Sequence, residues 1–135
     1  MVMESIFPLQ LPLIVSGGIA AGLLVATVAV GLRGDARLAL GFAVMPDLSM
    51  LAGIGQPIDK GRMAPRAVPF YNALHSMIGP VALLAAALAF GWSPSWIGAA
   101  LAWATHIMVD RAVGYGMRTP EGYQRSAAQQ STANA

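Results

Sequence analysis

Residues 101–111, LAWATHIMVDR, end a long apolar segment and nevertheless contain a histidine, an aspartate and an arginine. His106 and Asp110 are four residues apart, so on a helix their side chains project from the same face, one turn from each other. Ionisable side chains are costly within membrane-spanning helices and mark functional sites there. This pair is therefore the first candidate for a functional feature of the chain.

The composition is typical of an integral membrane protein. The 135 residues are 56% hydrophobic and only 10% charged, whereas a soluble domain is about 25% charged. There is no cysteine, which excludes disulfides and thiolate metal sites. Eight Lys and Arg are scattered over several loops and form no basic stripe, so nucleic acid is not an expected partner. The expected partner is the lipid bilayer.

Four apolar stretches predict an all-α membrane protein with four transmembrane helices in a compact bundle. A helix needs about 20 apolar residues to cross a bilayer. The predicted spans are residues 11–32, 37–54, 67–90 and 95–113. We expect kinks at Pro46 and Pro80, because proline removes a helical hydrogen bond. Residues 1–116 are predicted to form a single domain and the polar tail, 117–135, to be disordered.

The distribution of basic residues predicts the orientation. With four spans, the N-terminus, the second loop and the tail lie on the same side. That side carries more basic residues (Lys60, Arg62, Arg66, Arg118 and Arg125) than the other (Arg33 and Arg37). The positive-inside rule then places both termini in the cytoplasm of a multi-pass membrane protein.

Two glycines of the first span bear on the oligomeric state. Gly18 and Gly22 are four residues apart and form a small-xxx-small pair, which lets another helix approach closely. The motif is common in apolar helices. A homodimer through this face is therefore a prediction based on the motif alone.

The predicted topology brings several polar residues to one depth. Asp47, His75 and His106 are each about eight residues from the cytoplasmic end of their span. At about 1.5 Å per residue, all three lie roughly 10–12 Å below that surface, with Asp110 one turn nearer to it. Three separate helices thus contribute to one polar layer.

The side chains of this layer suit a divalent metal ion held by Asp47, His75, His106 and Asp110. Two imidazoles and two carboxylates are ligands for zinc, manganese or iron, and water at an open position would allow hydrolysis. Further residues are assigned supporting roles: Asn72 and Ser76 would orient His75, and Arg111 would be a charge partner of Asp110. A lipid or isoprenoid phosphate from the cytoplasmic leaflet would meet this layer near headgroup depth.

A structural interpretation of the same residues stays open. Asp47 could pair with Arg111 or His75, and His106 could bond to Asp110. Interhelical polar contacts of this kind stabilise membrane bundles by about 0.6–2 kcal/mol each. The protein would then be non-enzymatic, either a proton or metal conduit or an assembly factor. The sequence names no substrate and does not decide whether the protein is an enzyme.

Three motifs carry a resemblance to a known family. They are MPDLSML at 45–51, YNALHS at 71–76 and HIMVDRAVGYG at 106–116. In these stretches the chain resembles the DUF4260 family of small bacterial integral membrane proteins of unknown function. The resemblance implies a compact helical protein of the bacterial inner membrane and brings no established activity. Members often continue with an acidic-Thr-His segment, whereas residues 119–124, TPEGYQ, lack the histidine.

A looser likeness is to a separate group of membrane-bound metal-dependent hydrolases. These proteins also carry a Pro-Asp, a His-Ser and a late His/Asp pair in apolar helices. The corresponding residues here are Pro46-Asp47, His75-Ser76 and the pair His106 and Asp110. This likeness implies metal-dependent hydrolysis as the reaction type.

Overall fold

The computed structural model describes residues 3–125, with side chains from residue 13 onward. Within this range the fold is helical, as predicted, and the β pairing is a single bridge between Arg118 and Gln124. The helices are α1 (Met3–Gly31), α2 (Ala36–Leu48), α3 (Val68–Leu74), α4 (Ile78–Ala89) and α5 (Pro94–Ala112), and a 3-10 helix, Ser49–Gly53, follows α2.

Helix α5 is the centre of the bundle. It packs against α1, α2 and α4, whereas α1 and α2 contact each other little. Its buried side is built largely from small residues, which let neighbouring helices approach closely. These residues are Gly98, Ala99, Ala100, Ala102 and Ala104. The segment that carries His106 and Asp110 is therefore surrounded by the other helices.

Helices α1 and α5 run antiparallel. A Cβ at Gly17 would lie 3.8 Å from Ala112, and one at Gly98 would lie 3.7 Å from Val30. Gly18 and Gly22 are outside this interface, since a Cβ at either would meet no atom within 4 Å. The close approach thus uses the glycine preceding the predicted pair, and the homodimer through Gly18 and Gly22 stays a prediction.

The loops meet in pairs at the two ends of the bundle. At one end, the Asp35 backbone N–H donates to Ser95 Oγ at 2.8 Å, which joins the first loop to the first turn of α5, directly after the third loop. At the other end, the Met63 N–H donates to the Gly122 carbonyl at 2.9 Å, which joins the second loop to the tail. The chain segments richest in Lys and Arg are at this second end.

Two helical segments are long and apolar enough to cross a membrane, namely Leu13–Gly31 and Ala36–Gly53. A third candidate is α3 with α4, if this pair, bent by 42°, counts as one span. Helix α5 is not a candidate by length and composition within the described residues, because His106, Asp110 and Arg111 lower its hydropathy. Two to three of the four predicted spans are therefore supported.

The third segment is predicted to bend at Pro80, but the observed bend lies earlier in the chain. Helix α3 ends at Leu74, and α4 begins at Ile78. Pro80 lies in the first turn of α4, where its missing N–H costs no helical hydrogen bond. The break is instead accompanied by a tertiary contact, since Trp103 Nε1 donates to the Leu74 carbonyl at 2.7 Å. Pro46 does not end helix α2 either. The helix continues through Pro46 to Leu48, and the 3-10 helix follows.

The first part of the polar tail is folded, although disorder is predicted for the whole tail, 117–135. The Thr119 N–H donates to the Tyr123 carbonyl at 2.7 Å, which closes a turn. Gly122 has φ +97°, a conformation that glycine adopts without steric cost. The predicted disorder is therefore wrong for 117–125. Polar composition alone does not reveal such a turn. Residues 126–135 lie outside the described residues.

We expect Gly79→Ala to destabilise the protein by about 1–3 kcal/mol, the usual cost of overpacking. A Cβ at Gly79 would clash with the Trp103 ring, which its hydrogen bond to Leu74 holds in place. The matched control is Gly41→Ala on α2, where the new methyl group meets nothing. Thermal unfolding in detergent micelles measures both, and equal midpoints for the two variants would refute the packing of Trp103 on Gly79.

Candidate metal centre

The structure brings together all four residues of the predicted polar layer. Asp47, His75, His106 and Asp110 each offer one ligand atom, and these four atoms lie within 4.8 Å of one another. They come from the end of α2, the break between α3 and α4, and the last two turns of α5. Residues up to 63 positions apart in sequence thus converge on one point, which we call the Asp/His centre.

The distances within the Asp/His centre are uniform. His75 Nε2 lies 3.6 Å from Asp47 Oδ1 and 3.3 Å from Asp110 Oδ2. His106 Nε2 lies 3.5 Å and 3.6 Å from the same two oxygens. The two Nε2 atoms are 3.3 Å apart. Five of the six edges of the tetrahedron formed by these atoms therefore have nearly equal length.

These edge lengths match those around a bound divalent ion. Ligand atoms bound to one zinc ion in tetrahedral geometry, at about 2.0–2.2 Å from the ion, lie about 3.3–3.6 Å apart. The five distances fall in this range, and the remaining pair, the oxygens of Asp47 and Asp110, lies within 4.8 Å. Charge-assisted hydrogen bonds between His and Asp are shorter, about 2.7–2.9 Å, than the four His–Asp distances here. The geometry thus fits ligands around a common ion better than side chains bonded to each other.

His75 is held in a fixed orientation. Its Nδ1–H donates to the Tyr71 carbonyl oxygen at 2.9 Å, which fixes the ring so that Nε2 faces the other three ligand atoms. The Tyr71 ring stacks on the imidazole, with ring centroids 3.8 Å apart. His75 is only 2% exposed. His75 Nε2 thus lies buried next to two carboxylate oxygens, an arrangement that a cation bound between these atoms would stabilise.

His75 gains this position because α3 ends there. It is the C-cap residue of α3, with φ −97° and ψ 9°, so the chain turns away immediately after it. Arg111 Nη2 donates to the His75 carbonyl at 3.2 Å. Two hydrogen bonds, from Arg111 and from Trp103, therefore hold the break between α3 and α4 against α5.

His106 and Asp110 share one face of α5, as their spacing predicts. Their side chains are 14% and 25% exposed. Asp47 is the most accessible member of the centre, with 47% of its side chain exposed. It directly follows Pro46, and the switch to the 3-10 helix at Ser49 comes two residues later. The centre is thus closed on the His75 side and open on the Asp47 side.

Two of the predicted supporting residues have other roles. The side-chain amide of Asn72 exchanges two hydrogen bonds with the backbone of Arg118, at 2.8 and 2.9 Å, so it anchors the tail. Ser76 Oγ accepts from the Ile78 N–H at 3.3 Å and so contributes to the start of α4. Neither of these bonds orients His75, which was their predicted role. The pairing of Arg111 with Asp110 stays a prediction.

Sequence reasoning missed the residue that orients His75. The acceptor is the backbone carbonyl of Tyr71, four residues earlier on α3. The signal available in the sequence was the i, i+4 spacing of an aromatic residue and a histidine, a pair that meets on one helical face. Trp103 was also missed, since its hydrogen bond to Leu74 depends on the tertiary packing of α5.

The fold and the site together define an all-helical protein with two to three apolar helices long enough for a membrane and a centre of two histidines and two aspartates. A family model described as "Domain of unknown function (DUF4260)" matches residues 14–130. The chain belongs to this family, and the match includes the first helix from residue 14 onward, a part of the chain that the three motifs did not cover. No curated protein and no solved structure matches the chain.

Proposed function

We propose that this protein is a membrane metalloenzyme, a hydrolase, in which the Asp/His centre holds one divalent ion. The observation that carries the proposal is the set of five distances of 3.3–3.6 Å among the four ligand atoms. Zinc, manganese and iron all accept two imidazoles and two carboxylates. Four nitrogen and oxygen ligands in a tetrahedron are the arrangement that zinc adopts most often.

The proposal includes four membrane crossings with both termini in the cytoplasm. Helix α5 would be the fourth crossing, and its packing against α1, α2 and α4 supports this, because neighbouring helices shield its polar groups from lipid. The pairing of the second loop with the tail supports a common side for these two segments. Their excess of Lys and Arg favours the cytoplasmic side.

The open side of the centre supports catalysis rather than a purely structural ion. A bound divalent ion supplies activation of water and polarisation of an ester oxygen. His75, His106 and Asp110 are the more buried ligands and would fix the position of the ion. The exposed Asp47 side leaves room for a water molecule and a substrate, since zinc can expand beyond four ligands.

The alternative function is a non-enzymatic one, a proton or metal conduit. The observation that favours it is the gradient of exposure across the polar layer, from the half-exposed Asp47 to the buried His75. An ion path from the surface into a membrane protein needs such a series of ionisable groups. This function would use the same four residues without turnover of a substrate.

An assay of wild type and Asp47→Asn in proteoliposomes separates the two functions. We expect metal-loaded wild type to release p-nitrophenol from long-chain or phosphate esters and Asp47→Asn to lose at least about 90% of this activity, because a ligand at the open side is gone. Asp59→Asn is the matched control, because the Asp59 side chain is 83% exposed in a loop. Proton or metal flux that Asp47→Asn abolishes, without ester hydrolysis by wild type, would establish the conduit instead.

A further inference from the structure

A groove lies between α1 and α2, and the central helix α5 forms its floor. Both helices pack on α5 and contact each other little, which leaves a cavity of about 400 Å³ between them. Small residues, Ala39 and Ala43 on α2 and Ala102 on α5, line it and account for its width. The volume lies within the range of about 300–1,000 Å³ that is usual for ligand sites. We call it the α1–α2 groove.

The lining is apolar except at one end. The hydroxyls of Thr27 and Thr105 are in the wall, but each donates to a carbonyl of its own helix at 2.7 Å. The remaining polar lining residues are His106 and Asp110, which are also ligand residues of the Asp/His centre. One end of the groove therefore adjoins the proposed metal ion. This end is also next to the open side of the centre, because Asp47 follows the groove residue Ala43 by one turn on the same face of α2.

The groove has a polar end and an apolar end, in the same order across the membrane as the head group and the hydrocarbon chain of a lipid. Along α5 it extends from Ala102 to Asp110, about 12 Å at the helical rise of 1.5 Å per residue. Asp110 is near the end of α5, and Ala102 is near its middle. If α5 crosses the bilayer, the polar end is near the membrane surface and the apolar end lies toward the bilayer centre. The mouth is flanked by exposed apolar residues, including Val28 and Leu40.

The charges at the polar end favour an anionic head group. A divalent ion would balance the carboxylates of Asp47 and Asp110. Arg111, which contacts the His75 carbonyl at 3.2 Å, adds a positive charge beside the centre. A phosphate group complements this charge, and its oxygens are suited to both guanidinium and divalent ions.

We propose that the α1–α2 groove binds the hydrocarbon chain of a membrane lipid phosphate, and that the phosphate head reaches the ion at the His106–Asp110 end. This inference rests on the proposed function, because it names the substrate class of the same centre. The lipid enters sideways from the bilayer between α1 and α2. The apolar lining selects a single chain, and the centre selects the phosphate.

The test uses dodecylphosphonate with a photoreactive diazirine at the far end of its chain, a phosphate analogue that cannot be hydrolysed. Metal-loaded protein in phosphatidylcholine nanodiscs is irradiated, and labelled peptides are mapped by mass spectrometry. We expect labels on the segments 24–28 and 39–43, and we expect excess unlabelled dodecylphosphonate to remove them by competition. Chelation of the ion should reduce the label at least about tenfold, since it removes the head-group partner.

Groove-filling variants make the test specific. Ala43→Leu should reduce labelling at least about tenfold, because added bulk excludes a ligand from a fitted apolar site. Val28→Trp, at the exposed mouth, is a second variant that the fold tolerates more easily. Ala21→Leu is the matched control, since Ala21 is exposed on α1 and does not line the groove. The metal content of each variant shows whether its centre is intact.

The outcomes separate this inference from the proposed function. Wild type that binds metal but is labelled evenly on its outer faces, or equally in Ala43→Leu and Val28→Trp, would overturn the groove as a lipid site. Folded wild type without bound metal would overturn the proposed function itself. Specific labelling without any hydrolysis of dodecyl phosphate would support the lipid site and contradict the hydrolase.

Discussion

Asp110→Asn should weaken divalent metal binding by at least about 100-fold, because loss of an outer-sphere partner alone already costs about 10–100-fold. The substitution preserves side-chain volume and removes the negative charge that lies 3.3 Å from His75 Nε2 and 3.6 Å from His106 Nε2. Competition with a metal-sensitive fluorescent chelator measures the dissociation constant for zinc in detergent micelles.

The control for this prediction is Asp59→Asn, the same chemical change in a loop side chain that is 83% exposed. It should bind zinc as wild type does. Equal affinities of Asp110→Asn and wild type would contradict the Asp/His centre. An equal loss in both variants would point to a general charge effect instead of a ligand.

Removal of the ion should lower the stability of the wild type substantially. An ion that binds only the folded state at a free concentration about 1,000-fold above its dissociation constant stabilises that state by about 4 kcal/mol. For a chain of this size, such a change shifts the unfolding midpoint by on the order of 10 °C. Without the ion, two carboxylates and two imidazoles also remain crowded within 4.8 Å.

Differential scanning calorimetry with and without a chelator measures this shift, and added zinc should restore the midpoint. His75→Ala should show no zinc-dependent shift, since it lacks the most buried ligand. Asp59→Asn should respond as wild type does. A zinc-dependent shift that persists in His75→Ala would place the stabilising ion elsewhere.

The sequence predicted the residues of the centre because their positions follow from local rules. The i, i+4 spacing put His106 and Asp110 on one face of a helix. The common depth of Asp47, His75 and His106 followed from counting residues from the predicted span ends. These arguments do not depend on how helices pack, and the four side chains do lie together.

The supporting contacts could not be predicted in the same way, because they depend on tertiary packing. The break after Leu74 is accompanied by bonds from Trp103 and Arg111 on α5 to the backbone around it, rather than by Pro80. Asn72 shares a helical face with His75, but the folded tail offers it two backbone partners at Arg118. Spacing alone gave no information about either partner.

The glycines of α1 show the same limit. Gly18 and Gly22 carry the recognisable motif, yet the close approach to α5 occurs at Gly17, opposite Ala112. Composition shows that an apolar helix has a small-residue face but not which face meets the neighbour. The α1–α2 groove likewise arises from how two helices rest on a third, which no local pattern encodes.

The most direct test of the metal centre is X-ray absorption at the zinc K-edge on purified wild type that has been loaded with zinc and desalted. We predict one zinc per chain, with two imidazole nitrogens and carboxylate oxygens at about 2.0–2.2 Å, as zinc bonds require. A folded protein that retains no zinc above background, or a zinc shell without imidazole, would contradict the centre formed by Asp47, His75, His106 and Asp110.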